Sequence, residues 1–230
     1  MQNINVIIPA YNEEKSIAQV IAAIPPGLVS DIIVVDNNSG DNTYTEAKKA
    51  GATVLKEPRQ GYGQACLTGI DYAISKTELL KPAVLVFLDG DYSDYPEEML
   101  QLVQPILDNK ADLVIGSRAL GQREKGAMLP QQVFVNWLAT SLLRLFYGVR
   151  FTDLGPFRAI QTESLMALNM ADRTYGWTVE MQLKAAKLNL RCTEIPVSYR
   201  KRIGFSKISG TVKGSILAGY KIILTIFRYL

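Results

Sequence analysis

The sequence predicts a doubly wound α/β protein, with a mostly parallel sheet and helices on both of its faces. Three observations predict it. Short apolar runs alternate with helix-length segments in the order β-α-β-α-β-α-β-α-β up to Gly116. The apolar runs are unbroken, which is the pattern of strands buried on both faces. Three of them stop in acidic or glycine-rich turns, which a parallel sheet gathers on one edge.

Asn5–Ile8 is a short strand that stops at Pro9, and Ala10 to Glu14 lead into a helix through about Ile24, broken by Pro25-Pro26-Gly27. Asp31–Val35 is a second strand, followed by Asp36-Asn37-Asn38-Ser39-Gly40-Asp41. Thr43–Ala50 reads as a helix closed by Gly51, and Thr53–Leu55 as a third strand. Gly61-Tyr62-Gly63 opens a helix from about Gln64 to Ser75. Val84–Leu88 is the most apolar strand and ends in Asp89-Gly90-Asp91. A helix from Glu97 to Asp108 and a fifth strand, Asp112–Gly116, follow. The pattern loosens after Gly121, where Arg123 to Gly126 reads as a mobile loop. Two long apolar helices, Gln132–Tyr147 and Gly176–Leu188, precede an edge strand from Cys192 to Tyr199. Without repeats or a low-complexity linker, one domain is expected over 1–211, with halves at about 1–118 and 119–211. A separate apolar, basic helix is expected over 212–230.

At 230 residues and 48% apolar content the chain can bury one good-sized core. The net charge of +3 is unevenly spread: from Ile195 onward there are seven Lys/Arg and no acid. That asymmetry points to an anionic partner, such as a phosphate-bearing substrate or a membrane surface. Too few of those cations sit beside aromatics to make a nucleic-acid stacking platform, so no nucleic acid is expected. Cys66 and Cys192 have no metal spacing and fit a reduced, cytoplasmic protein. No signal-peptide pattern and no uncharged apolar run long enough to span a bilayer are seen. There is no histidine, which excludes imidazole bases and His-based triads and zinc sites.

Asp89 and Asp91, separated by one glycine, can share a hard divalent cation, Mg²⁺ or Mn²⁺, with Gly90 letting the backbone turn closely around it. The bland alternative is a turn with a helix cap before Pro96. Glu13 and Asp36, at the ends of the first two strands, suit a nucleoside as hydrogen-bond acceptors, and Tyr11 as a stacking surface. Glu13 could equally be an ordinary first-turn acid. Gly61 and Gly63 let a backbone approach a ligand or merely shape a helix start. The third glycine of a dinucleotide site is absent, and so is the phosphate-loop motif of common ATPases.

Val6-Ile7-Ile8-Pro9-Ala10-Tyr11-Asn12-Glu13, Val34-Val35-Asp36-Asn37-Asn38-Ser39 and Asp89-Gly90-Asp91, in this order and spacing, resemble a family 2 glycosyltransferase of GT-A fold. Gly116-Ser117-Arg118 and Gly155-Pro156-Phe157-Arg158-Ala159 resemble the acceptor half of its dolichyl- or polyprenyl-phosphate mannose or glucose synthase branch. The resemblance runs through about Lys207. It implies that Pro9, Ala10, Tyr11, Glu13 and Asp36 hold the nucleoside, and that Asp89 and Asp91 hold the diphosphate through the metal. It also implies that Arg118, Arg158 and Arg202 face the acceptor phosphate or the donor. The chain departs from the pattern at Asn37, where a second acid is usual, at Ser93, where some relatives carry a glutamine ligand, and at Pro156.

The activity so implied is inverting, metal-dependent transfer of a hexose from a UDP- or GDP-sugar to a polyprenyl phosphate at the inner face of the cell membrane. An attacking phosphate, with a second pKa of about 6, needs positioning by cations more than it needs a base. A hydroxyl acceptor would need a carboxylate base, for which Asp153 and Glu180 are the candidates. Arg200-Lys201-Arg202 with Lys207 reads as a mobile lid over the phosphates, or as an ordinary basic loop. Val212–Leu230 and the segment Val133–Tyr147 read as surfaces lying in a membrane interface, or as packing against the sheet or a second copy of the chain. Competing readings are a soluble or cell-wall hydroxyl acceptor, a nucleotidyltransferase, or a non-catalytic nucleotide-sugar-binding protein.

Overall fold

The computed structural model describes residues 3–77, 81–204 and 212–230, with side chains of the last helix from Leu217 onward. In chain order the strands are β1 (Ile4–Ala10), β2 (Asp31–Asp36), β3 (Thr53–Lys56), β4 (Val84–Phe87), β5 (Leu113–Ser117), β6 (Arg158–Gln161) and β7 (Cys192–Pro196). The helices are α1 (Ile17–Ala23), α2 (Thr43–Lys49), α3 (Tyr62–Ile74), α4 (Met99–Leu107), α5 (Pro130–Tyr147), α6 (Thr162–Leu168), α7 (Trp177–Lys187) and α8 (Val212–Arg228). Among the described residues one sheet runs in the order β3-β2-β1-β4-β6-β5-β7, in a GT-A-type α/β architecture. It is parallel except for β6, which pairs antiparallel with both β4 and β5.

Burial on both faces accounts for the unbroken apolar strands. Ile7, Ile33, Leu85, Phe87, Leu113 and Ile115 point to one side, into a cluster with Cys66 of α3, Leu143 of α5, Trp177 of α7 and Ile226 of α8. Their neighbours Val6, Ile8, Val34, Val86 and Val114 point to the other side, against Val20 of α1 and Leu102 of α4. Successive residues of one strand thus serve two cores.

Strand β1 lies between β2 and β4, and the chain winds outward from it in both directions. At such a reversal the neighbouring crossovers leave on opposite faces, which opens a crevice beyond the carboxyl ends of the strands. Tyr11, Asn37 and Asp89 stand at those ends. The expected edge strand after the second long helix is β7, which pairs with β5.

Strand β6 was not expected. Its four residues begin with Arg158, a residue that does not read as buried strand, yet Phe87↔Arg158 and Val86↔Ala159 are in register at the centre of the sheet. Helix α8 packs on α5 and α7, and Tyr147 Oη donates to the Ile226 carbonyl at 2.8 Å. No helix among the described residues is long and apolar enough to cross a membrane.

Candidate active site

A cleft of about 520 Å³ opens at the carboxyl ends of β1, β2 and β4 and is closed on its far side by α5 and α8. Pro9, Ala10, Tyr11 and Glu13 line it from β1. The β1 turn is laced to the β2 turn: the Asn12 N–H donates to Ser39 Oγ at 2.9 Å, the Gly40 N–H to Asn12 Oδ1 at 2.7 Å, and the Glu13 N–H to Thr43 Oγ1 at 2.7 Å. Asn12 takes φ 54° there, a left-handed value that asparagine tolerates. These bonds hold the Glu13 carboxylate, itself accepting from Ser16 Oγ at 3.0 Å, at the cleft wall.

From β2 the cleft wall is Asn37. Its amide donates to the carbonyls of Glu57 (3.1 Å) and Arg59 (2.7 Å), while its oxygen accepts the Gly61 N–H at 2.7 Å. A carboxylate has no donors and could not make the first two bonds. The departure from the usual acid is therefore a structural clamp on the 57–61 loop.

The acids at the end of β4 form the polar floor. Tyr62 Oη donates to Asp89 Oδ1 at 3.1 Å, and the Ser93 N–H to Asp91 Oδ1 at 2.9 Å. Burial, then the neighbouring Asp91, push the Asp89 carboxyl up to about 7. Arg202 is ion-paired with Asp91 Oδ2. The close turn after the acids is made by Tyr92, at φ 62°, and not by Gly90, where an added Cβ would meet only ordinary contacts at 3.5 Å.

The two acids fit Mg²⁺ or Mn²⁺. They offer only oxygen donors, they crowd one another enough to raise a pKa, and a guanidinium already stands against them as a counter-cation. Among the described residues no group of three or more His, Cys, Asp or Glu forms a metal cage. Such an ion would complete its shell from substrate oxygens and water, as Mg²⁺ commonly does.

Arg118 enters the cleft from the end of β5. Asp153, 1% exposed, accepts from its backbone N–H at 2.7 Å, its Nε at 2.8 Å and its Nη2 at 2.6 Å. Its ring neighbour is Tyr199, 5.1 Å from the guanidinium carbon. Burial opposes the Asp153 charge, but Arg118 outweighs it and holds the carboxyl below its ordinary value.

Residues 5–168 match the family described as Glycosyl transferase family 2. This chain belongs to that family. An uncharacterized glycosyltransferase of Mycobacterium tuberculosis (strain H37Rv) is 38% identical over 218 residues, covering 94% of each chain. An undecaprenyl-phosphate mannosyltransferase of Micrococcus luteus is 29% identical over 220 residues, covering 90% of this chain and 88% of the relative. In fold, the chain resembles a glucosyl-3-phosphoglycerate synthase from M. tuberculosis, solved with Mn²⁺, UDP and glucosyl-3-phosphoglycerate. The TM-score is 0.78, with 22% identity over 99% of this chain and 80% of that one.

Several residues expected at the glycosyltransferase site stand elsewhere. Glu180 is fully buried and accepts the N–H groups of Ala171 (3.0 Å) and Asp172 (2.7 Å) and the Tyr229 hydroxyl (2.5 Å), so it pins α7 and α8 to a loop. Arg158 is fully buried too, and donates to the carbonyls of Gly155 (3.0 Å) and Thr178 (2.9 Å), with no face toward a ligand. Asp153 is locked on Arg118 and does not line the cleft, which removes it as a base. Asp36, 6% exposed, accepts the Ser39 N–H at 3.1 Å and lies behind the wall.

Gly61 lines the cleft but Gly63 does not. An added Cβ would come within 2.2 Å of the Arg173 carbonyl oxygen at Gly61 and within 2.1 Å of the Asp172 oxygen at Gly63. Both glycines let α3 start against that loop, and Gly61, which also borders the cleft, needs its φ of 151° besides.

The expected lid is anchored where it is described. The Arg200 N–H donates to the Ser93 carbonyl and the Ile203 N–H to the Asp91 carbonyl, each at 2.9 Å, which sets Arg202 on Asp91. Arg200 is stacked at 3.4 Å over Tyr92 and 4.1 Å over Tyr95. Lys207 lies outside the described residues. Sequence reasoning missed Tyr62, Gln60, Tyr175 and Tyr199 as cleft residues. Only Tyr62 carried a signal, as the residue between two glycines already singled out.

Proposed function

We propose that this glycosyltransferase moves a hexose, with inversion, from a UDP- or GDP-sugar to a polyprenyl phosphate, working as a peripheral protein at the inner face of the cell membrane. The observation that carries the reading is the two-ended cleft. One end holds Asp89, Asp91, Arg118 and Arg202, and the α5/α8 side is lined by Met128, Val135, Leu154, Ala218 and Ile222, with Gln131, Gln132 and Asn136 of α5 among them. An acceptor with a phosphate head and a hydrocarbon tail matches both ends, whereas a small polar acceptor leaves the apolar end unused.

Tyr11, Glu13 and Asn37 are positioned for the nucleoside. Asp89 and Asp91 would hold Mg²⁺ or Mn²⁺, whose chemistry there is to neutralise charge developing on the leaving diphosphate. Arg118, oriented by Asp153, and Arg202 would position the phosphates. Both candidate carboxylate bases are engaged elsewhere, which suits a nucleophile already ionised at neutral pH.

The apolar end also continues outward. On α8, Leu217, Tyr220, Leu224 and Phe227 are exposed at helical spacing, and on α5 so are Phe134, Trp137 and Leu145. Phe146, on the other side of α5 from Trp137, meets Phe227 of α8 with ring centroids 5.5 Å apart. Arg144, Arg150 and Arg228 are exposed on the same helices or just beyond them, a charge that suits anionic lipid.

A phosphoglycerate-type acceptor is the second reading, favoured by the fold likeness above. Offering the purified protein undecaprenyl phosphate in vesicles and 3-phosphoglycerate in solution, with the same donor and Mn²⁺, separates the two. Sugar on the lipid is expected; sugar on phosphoglycerate alone would replace the proposal.

A further inference from the structure

Each oxygen of the Asp91 carboxylate has a partner of its own. Oδ1 accepts the Ser93 N–H at 2.9 Å and the Ser93 hydroxyl at 2.5 Å, while Oδ2 is ion-paired with Arg202. A divalent cation held by this carboxylate needs one of those oxygens, and the serine bonds come from the same short turn as the acid. The Arg202 guanidinium is the partner that competes in kind, since it is itself a cation. Asp91 is buried, so a metal ion and a guanidinium on Oδ2 together would set like charges side by side with little water to screen them.

The two arginines of the cleft floor are held differently. Arg118 is committed to Asp153 at three points, and its charge is balanced there. Arg202 is partly exposed, and among the described residues its ion-pair partner is Asp91. The backbone around it is tied down, by the Arg200 N–H on the Ser93 carbonyl and the Ile203 N–H on the Asp91 carbonyl. Its Cα therefore stays beside the acids, while the flexible stem lets the guanidinium turn away. Charge gives that motion a direction. With both acids ionised, Asp89, Asp91 and Arg202 together carry one negative charge. A divalent cation in the arginine's place neutralises both carboxylates and leaves the guanidinium's charge for a phosphate.

Resting on the reading of Asp89 and Asp91 as the cation site, we propose that Arg202 is the resident counter-cation of Asp91, that it yields this carboxylate to Mg²⁺ or Mn²⁺, and that it then takes a phosphate oxygen of a substrate. Arg202 thus couples two sites: until it leaves Asp91 it adds nothing to phosphate binding, and once it has left it adds a full charge-assisted contact. Arg118, locked on Asp153, serves a phosphate equally with or without the metal.

The test is calorimetric titration of the wild-type chain, R202Q, R202M and D91N at pH 8, with melting curves to confirm that each is folded. Mn²⁺ is titrated alone; UDP and geranyl phosphate are titrated in EDTA and again in saturating Mn²⁺. Mn²⁺ alone is expected to bind R202Q and R202M about threefold to tenfold more tightly than the wild-type chain, because neither has a cation to displace. One of the two phosphates is expected to bind R202Q and the wild-type chain alike in EDTA, and R202Q about tenfold more weakly in Mn²⁺. If that ligand is UDP, Arg202 moves to the donor diphosphate; if it is geranyl phosphate, to the acceptor. An arginine that merely shapes the floor would lower phosphate affinity equally in both conditions. That result, or no lowering at all, or Mn²⁺ binding no tighter in R202Q and R202M, would overturn the exchange. Mn²⁺ binding D91N as tightly as the wild-type chain would overturn the cation-site reading itself, and the exchange with it.

Discussion

Asp153 grips Arg118 at three points, 35 residues away in sequence: it accepts the arginine's backbone N–H, its Nε and its Nη2, all within 2.8 Å. A planar guanidinium held in this way has one orientation, and its remaining edge faces the cleft. The acid expected to act as a base is thus a positioning residue for a cation.

Asp153→Asn is expected to cost about 3 kcal/mol of stability, because a buried ion pair is broken and Arg118 keeps an uncompensated charge. Transfer should fall about a hundredfold through misplacement of Arg118. The sign of the pH effect follows from the lowered carboxyl. Its contribution to stability is present above the ordinary aspartate value of 3.8 and is lost as pH falls through the lower folded value. Melting profiles from pH 7 to pH 3 check this: the wild-type advantage over Asp153→Asn should shrink only at the acid end.

Metal affinity should depend on pH near neutrality. Asp89 must be ionised to bind a cation, and its carboxyl is pushed up to about 7. Protons therefore compete below that value, and Mn²⁺ should bind roughly tenfold more weakly at pH 6 than at pH 8. Calorimetric titration at both values is the check. Asp89→Asn should bind weakly and with no such slope.

Asn37→Asp tests the clamp. The carboxylate cannot donate to the Glu57 and Arg59 carbonyls, and it brings a charge beside the buried Glu57. A loss of about 1–3 kcal/mol is expected from unsatisfied groups, seen as a lower melting temperature and weaker UDP binding. An unchanged melting curve would remove the clamp from the account.

The outer helical face gives a prediction that leaves the fold alone. Trp137 is 59% exposed and Leu224 45%. Replacing either by Glu should change stability by no more than about 0.5 kcal/mol. Each should weaken flotation with anionic vesicles roughly tenfold, by removing apolar area that the bilayer would cover. Unaltered flotation would take this face out of any membrane contact.

Much of this site was legible in the sequence because parallel topology does the gathering. Once β1, β2 and β4 were recognised as buried and parallel, Tyr11, Glu13 and Asp89 had to share an edge. What was not legible depended on contacts between distant segments. Nothing near Asp153 announces Arg118, and nothing on the α7 pattern shows that Glu180 turns inward to cap a loop. Arg158 was expected at the substrate from the resemblance of its motif alone; here three backbone carbonyls replace its water. Strand β6 was hidden because it begins with that arginine. Gly61 and Gly63 read as glycines for a ligand or for a helix start, and the loop at 172–173 is what their helix start has to clear.

The most direct test of the central claim is the appearance of labelled sugar in the organic phase after incubation with a nucleotide sugar, Mn²⁺ and undecaprenyl phosphate. The wild-type chain should deliver label to the lipid; chelation of the metal should abolish it, and Asp91→Ala should reduce it at least a hundredfold, the scale of losing a principal charge-stabilising group. Label that reaches the lipid equally well with Asp91→Ala, or never reaches it with any UDP- or GDP-sugar, would contradict the account.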